Sequence, residues 1–284
     1  MLNTDLHTHS YYSDGQISPK ELVKLAKKRG VKNLSLTDHD SVKGVQEAVR
    51  EGKKVGVNVI PGVEIRTNYS EVLGYFVDIK NKKLISELKK NTQEEIKKVK
   101  DVCKKLVGAG YNISYEELKK RFPKSRNNFN SFYPIYTLYL KKYVKTTFEG
   151  SKLIGKLKPI KIKKISAIKA IKLIKGAGGV PVLAHPWLAE DKKLTKVKYL
   201  AKAGLEGIEI NNGDNLKFMM EASGNKTIIK DIKEVAKKYN LIITSGSDYH
   251  GPKIIKIMPG NHNLGRNNCD ENVVEQLRRL SVNG

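Results

Sequence analysis

Seven short apolar runs, spaced by amphipathic helical stretches, constrain this chain more than any other feature. Strands are expected at Leu2–Leu6, Asn33–Leu36, Val57–Ile60, Glu71–Val77, Val180–Ala184, Gly207–Asn211 and Leu241–Ser245. Between the first two, Ser18-Pro19-Lys20-Glu21 supplies a Ser N-cap, Pro at the first helical position and a Glu three residues after the cap. These open a helix that ends near Gly30. A second helix is expected over Val42–Val55 and a last one from about Asp270. Strand–helix alternation of this kind requires an α/β fold with a mostly parallel sheet or barrel.

The alternation breaks once. Residues 82–157 show helical periodicity only, with a second capping box at Ser114-Tyr115-Glu116-Glu117 and an aromatic-rich stretch from Phe129 to Phe148. The aromatics are of a kind that stacks on bases, but at helical spacing they are expected to form a small helical core. The domain reading is therefore a barrel built from residues 1–81 and 158–284, with 82–157 inserted.

Five of the six histidines fall at the ends of expected strands. His7 and His9 follow the first strand, and i, i+2 side chains on an extended segment point the same way. Asp14 lies in the next loop, His39 after strand two and Glu64 after strand three. His185 follows strand five; Asp248 and His250 follow strand seven. In a parallel barrel these ends share one rim, where active sites are built. Imidazole with carboxylate suits Zn, Mn or Fe, and this many ligands implies two or three divalent ions rather than one. Asp38 and Asp40 are expected to orient histidine ligands from behind.

The motifs Asp5-Leu6-His7-Thr8-His9-Ser10, Ser13-Asp14-Gly15, Thr37-Asp38-His39-Asp40, Pro61-Gly62-Val63-Glu64, Ala184-His185-Pro186 and Ser247-Asp248-Tyr249-His250 resemble, in order and spacing, those of the PHP (polymerase and histidinol phosphatase) family. The resemblance covers about residues 1–80 and 160–265 and is nearest to the family's stand-alone phosphoesterases, which include nucleoside 3′,5′-bisphosphate phosphatases. It implies a distorted (β/α)7 TIM-like barrel with a helical insertion domain capping the active site. It also divides the ligands: His7, His9, Glu64 and Asp248 for one ion, Glu64 and His185 for a second, and Asp14, His39 and His250 for a third. Glu64, His185 and Asp248 are the expected catalytic set. Relatives carry a histidine on the fourth strand where this chain has Glu71, which is expected to replace imidazole with a carboxylate. Relatives also present an Arg-Pro-His in the insertion to grip a substrate phosphate. Here the matching stretch is Ser131-Phe132-Tyr133, leaving Arg126 and Arg266 as candidate substrate-binding residues and Lys43 as a weaker one.

The expected function is a metal-dependent phosphoesterase that hydrolyses phosphate monoesters, of nucleotides or short oligonucleotides, by a metal-bridging hydroxide. Two other classes share parts of this pattern. A C–N hydrolase of amidohydrolase type shares the His-x-His but commonly uses a strand-four lysine. A nucleic-acid-binding or polymerase-associated accessory would use the net charge of +25, yet the basic residues are dispersed and no recognised binding motif occurs. That charge favours anionic partners, including phosphorylated small molecules and nucleic acid ends. Two distant cysteines, Cys103 and Cys269, exclude a thiolate metal site and suit a reducing cytoplasm. No apolar run reaches the roughly 20 residues needed to span a bilayer, and no membrane partner is expected.

Overall fold

A computed structural model describes residues 3–125, 128–189, 191, 194–210, 216–257, 262–266 and 269–283. In chain order the elements are β1 (Thr4–Asp5), α1 (Pro19–Lys28), β2 (Asn33–Leu36), α2 (Val45–Val55), β3 (Asn58–Ile65) and β4 (Val72–Tyr75). The helices α3 (Lys82–Gly108), α4 (Tyr115–Arg121), α5 (Phe132–Leu140) and α6 (Thr147–Lys156) follow. The chain then returns to the sheet through α7 (Ala167–Gly176), β5 (Val180–Leu183), α8 (Val197–Lys202), β6 (Gly207–Glu209), α9 (Leu216–Ser223), α10 (Ile228–Tyr239), β7 (Ile242–Thr244) and α11 (Asn272–Leu280). All seven expected strands are present; Leu2 and Asn211, the expected outer ends of two of them, lie outside the described residues.

The strands form one curled sheet in sequence order, β1 to β7. Neighbours pair in parallel except at β4, which runs antiparallel to both β3 and β5. β3 is longer than expected because it serves two neighbours in turn. Asn58–Pro61 pair with β2, and Gly62–Ile65 pair with β4, with Glu64 opposite Leu73. Beyond β1 and β7 the two ends of the sheet meet: Leu6 N donates to Ser245 O and Asp248 N to His7 O.

Local signals act as the residue types require. Ser18 and Glu21 form the reciprocal capping box of α1. At α4 only half of the expected box exists: Ser114 Oγ accepts from Glu117 N, but the Glu117 carboxylate pairs with Lys141 and Arg121 instead of returning to the cap. α2 starts at Val45, three residues later than expected, capped by Gly44. Helices α3 to α6 pack on a core of their own that includes Val99, Leu106, Ile113, Leu118, Phe129, Tyr133 and Leu138. Of the aromatic-rich stretch, Phe129 and Tyr133 enter this core and Tyr139 packs against it, while Tyr143 and Phe148 are exposed.

Candidate metal centre

The rim places all nine expected ligands together. Their nitrogen and oxygen atoms fall into four groupings, within each of which every atom lies within 4.8 Å of the others: His9–Asp14–His39–His250, His7–His9–Asp248, His7–Glu64–His185 and His39–Glu64–Glu71. Glu64 is central. Its Oε2 lies 3.2 Å from His7 Nε2, 3.4 Å from His9 Nε2 and 3.0 Å from His39 Nδ1, while Oε1 lies 2.9 Å from His185 Nε2. Glu71 Oε2 is 3.1 Å from His185 Nε2. Glu71 precedes β4, and only because β4 is reversed does its N-terminal end meet the rim that the other strands reach with their C-termini.

Five of these atoms are buried without a hydrogen-bond partner: His7 Nε2, His9 Nε2, His39 Nδ1, Asp14 Oδ1 and Glu64 Oε2. Buried polar atoms left unmatched cost about 1–3 kcal/mol each, more when charged. Five such atoms at one rim, spread over the groupings above, are what divalent cations would satisfy. The donor set of imidazole and carboxylate fits that role.

Electrostatics agree. Burial favours the neutral form of His39 and His250, but Glu64 and Asp14 beside His39, and Asp14 and Asp248 beside His250, outweigh it and raise the rings to about 10 and about 9. Burial likewise opposes charge on His7, yet Glu64, Glu209 and Asp248 hold it well above its ordinary value. The Glu64 carboxyl stays well below its usual range despite burial, through His39 and His7. His9 is the exception, lowered to about 4 by burial and by the neighbouring His250. The carboxylates demand positive charge, supplied by protons or by cations.

Behind the ligands the structure revises the expectations for Asp38 and Asp40. Asp38 accepts from Ser10 and from Ser13 Oγ, and reaches His9 only through Ser13, whose Oγ is 3.4 Å from His9 Nδ1. Asp40 orients no histidine. It accepts from Arg66 Nε at 2.8 Å and from Asn91 of α3. The residue that orients His7 is Glu209, at the end of β6: its Oε1 is 2.9 Å from His7 Nδ1, and its Oε2 accepts from His185 N. With Nδ1 held by Glu209, Nε2 is the His7 atom that faces the cluster. Glu209 was readable as a lone carboxylate on an otherwise apolar strand. His262, which lacks a motif, is buried with Nδ1 3.0 Å from Ser247 O and 3.7 Å from Asp248 Oδ2. The segment around the start of α5 contributes too: Asn130 donates to Asp14, Asn128 to His39 O and Tyr133 Oη to Ser13 O. Of the expected phosphate-binding residues, Arg126 lies outside the described residues and Arg266 is exposed in a turn after β7.

His185 and Asp248 have φ of 25° and 53°, in the left-handed region that side chains avoid. Such strain persists only where surrounding contacts over-determine it, and it concentrates at functional sites. Asp40, with φ 47°, is the third such residue at this rim.

The sequence pattern of the PHP domain matches residues 5–176. The chain belongs to the PHP-domain family. This PHP protein is similar to a 5′-3′ exoribonuclease of Haemophilus influenzae, 30% identical over 87% of this chain and 90% of that one. It is also similar to a 3′,5′-nucleoside bisphosphate phosphatase of Chromobacterium violaceum, 28% identical over 89% and 88%. Among solved structures, a metal-dependent phosphoesterase from Bifidobacterium adolescentis superposes with a TM-score of 0.82, covering 98% of this chain and 96% of that one at 22% identity. That likeness carries the fold. The reaction class read from the motifs stands: this is a metal-dependent phosphoesterase. No helix among the described residues is long and apolar enough to cross a membrane.

Proposed function

We propose that this PHP protein holds two or three divalent ions, Mn, Zn or Fe, and removes phosphate from monoesters of nucleotides or short oligonucleotides. The observation that carries the reading is the convergence of five buried, unpartnered nitrogen and oxygen atoms at one rim. The ligands would be His7, His9, Asp14, His39, Glu64, Glu71, His185, Asp248 and His250, with Glu64, His185 and Asp248 nearest the reaction. When bound, the ions supply Lewis acidity toward phosphoryl oxygens and a water acidified to near-neutral pKa.

The protein's own part is positioning. Glu64 reaches four imidazoles at once, so a single rotamer sets the spacing of the whole cluster. Glu209 fixes the ring of His7 and the backbone of His185 together. Hydrolysis forms a P–O bond to the water oxygen and breaks the ester P–O bond, the leaving oxygen taking a proton. The Asp248 and Glu71 side chains are 23% and 27% exposed, against 0% for Glu64, which puts the mouth of the site beside them.

In this reading residues 1–81 and 158–284 are the distorted (β/α)7 barrel and 82–157 the insertion capping its site. The separate core of α3 to α6 and the contacts of Asn91, Asn128 and Asn130 with the rim support that division. Two relatives named for nucleotide and RNA substrates support the substrate class. The free, buried Cys103 and Cys269 suit a reducing cytoplasm. Elemental analysis of chelator-free protein with a phosphate-release screen over nucleotides and sugar phosphates tests the proposal. Two or more ions per chain and preferential release from nucleotides are expected; one ion or none, or no release, overturns it.

A further inference from the structure

We propose that Arg66 and Asp40 are positioning residues that join the helices of 82–157 to the metal centre, so that docking of α3 tightens metal binding and metal binding tightens docking. The inference rests on the metal-centre reading and assigns no group to the substrate.

Two of the candidate ligands share one short ladder. His39 and Glu64 pair side by side in parallel, with Glu64 N donating to Asp38 O and Asp40 N to Glu64 O. Asp40 and Arg66 close that ladder. The Asp40 carboxylate accepts from Arg66 N at 3.2 Å and from Arg66 Nε at 2.8 Å. Asp40 thus touches no imidazole, but it directly follows His39 and holds the backbone just beyond Glu64.

Helix α3 grips the same pair. Asn91 Nδ2 donates to Asp40 Oδ1 and to Arg66 O, both at 2.8 Å. One turn further on, Glu95 Oε2 lies 3.9 Å from Arg66 Nη1 and accepts from Ser131 Oγ at the start of α5. The buried stripe of α3 runs from Leu84 and Leu88 to Val99, Val102 and Leu106, and its only polar members are Asn91 and Glu95. For holding a helix down, apolar residues would serve as well, since replacing a buried ionic group by well-packed apolar ones is often neutral or stabilising. What the polar pair adds is register: α3 has one seating in which Asn91 and Glu95 meet Asp40 and Arg66.

The guanidinium itself is no grip for a phosphate. Two carboxylates, Asp40 and Glu95, already face its single charge, and a further anion there would be repelled. Its Nη1 and Nη2 are buried and make no hydrogen bond. A bond of about 2.9 Å from Nη1 to Glu95 needs α3 to move inward by about 1 Å, so this contact can tighten. Undocking acts the other way, admitting water to Asp40 and Arg66 and loosening the ladder that carries His39 and Glu64. A cation that needs both ligands in register binds the docked form better, and by linkage the coupling is reciprocal.

The test titrates Mn and Zn into chelator-treated wild type and Asn91→Leu/Glu95→Leu, and follows hydrogen exchange of both with and without metal. The double variant completes the apolar stripe, so α3 keeps its packing while its ties to Asp40 and Arg66 are cut. Its metal Kd is expected to rise by about tenfold or more, as for other groups that hold ligands from behind. A purely structural network predicts an unchanged Kd. In wild type, saturating metal should slow exchange of α3 amides by a similar factor beyond any slowing in α10, and the double variant should lose that excess. Wild-type affinity in the double variant, or no excess slowing of α3 in wild type, overturns the coupling and leaves the metal reading standing. If the double variant does not fold, the wild-type exchange decides alone. A wild type that binds neither Mn nor Zn overturns the metal reading and the coupling with it.

Discussion

At the scale of single residues, the site depends on groups that hold ligands as much as on the ligands. Glu209 is 3% exposed and bonded to both His7 and His185, so its charge is spent on orientation. Glu209→Gln keeps the shape but offers only one acceptor oxygen to two donors. Losing a partner of this kind typically costs about 10–100-fold in metal affinity or activity, and that range is expected here, read by metal titration and by turnover with the fold unchanged by circular dichroism. Protons compete for the same atoms. Raised to about 10 and about 9 by their carboxylates, His39 and His250 carry protons at neutral pH when no cation is present. A divalent ion must displace them, so binding should release protons and tighten as pH rises. Calorimetry in buffers of different ionisation enthalpy measures that release; affinity independent of pH between 6 and 8 would contradict it.

At the scale of elements, the reversed strand β4 decides whether Glu71 belongs to the centre. Had β4 run parallel, the residue before it would sit at the opposite end of the sheet. As built, Glu71 lies 3.1 Å from His185 and 3.7 Å from His39. Glu71→Ala should lose one ion and most of the rate. Glu71→His should keep activity and shift preference from Mn toward Zn, because imidazole favours the softer ion. Metal content and turnover of Glu71→Ala equal to wild type would make the residue a bystander. The seven strands were readable because each is a short buried run, and eight of the ligands because they recur at strand ends. The reversal of β4 was not readable: antiparallel pairing is set by what β3 and β5 offer as neighbours, not by the β4 residues themselves. Asp40 was misread for the same kind of reason. Its partners, Arg66 and Asn91, come from just after β3 and from α3, the latter 51 residues further on, and no local pattern joins them. Glu209 was visible as a charge on an apolar strand, but its meaning required His7 to be beside it.

At the scale of the whole molecule, opposite charges are sorted by depth. The surface carries most of a +25 net charge, while the rim gathers the buried Asp14, Glu64 and Glu209 and the partly exposed Asp248 among five imidazoles. Chelation should therefore be felt as lost stability as well as lost activity. A ligand that binds only the folded chain stabilises it by about 2.7 kcal/mol at one hundred times its Kd. In a domain of this size about 1 kcal/mol moves Tm by roughly 2–4 °C, so one ion at that excess should raise Tm by about 5–10 °C. Two or three ions sharing Glu64 should add to this less than independently, since each relieves the same carboxylate. Thermal unfolding of chelator-treated protein against increasing Mn or Zn is the measurement, with a rise in Tm that continues with the logarithm of free metal as the expected result. A Tm that metal does not move at one hundred times the measured Kd would show that the imidazoles and carboxylates neutralise one another without a cation. The close contacts of Glu64 with His7, His9, His39 and His185 would then be structural ion pairs.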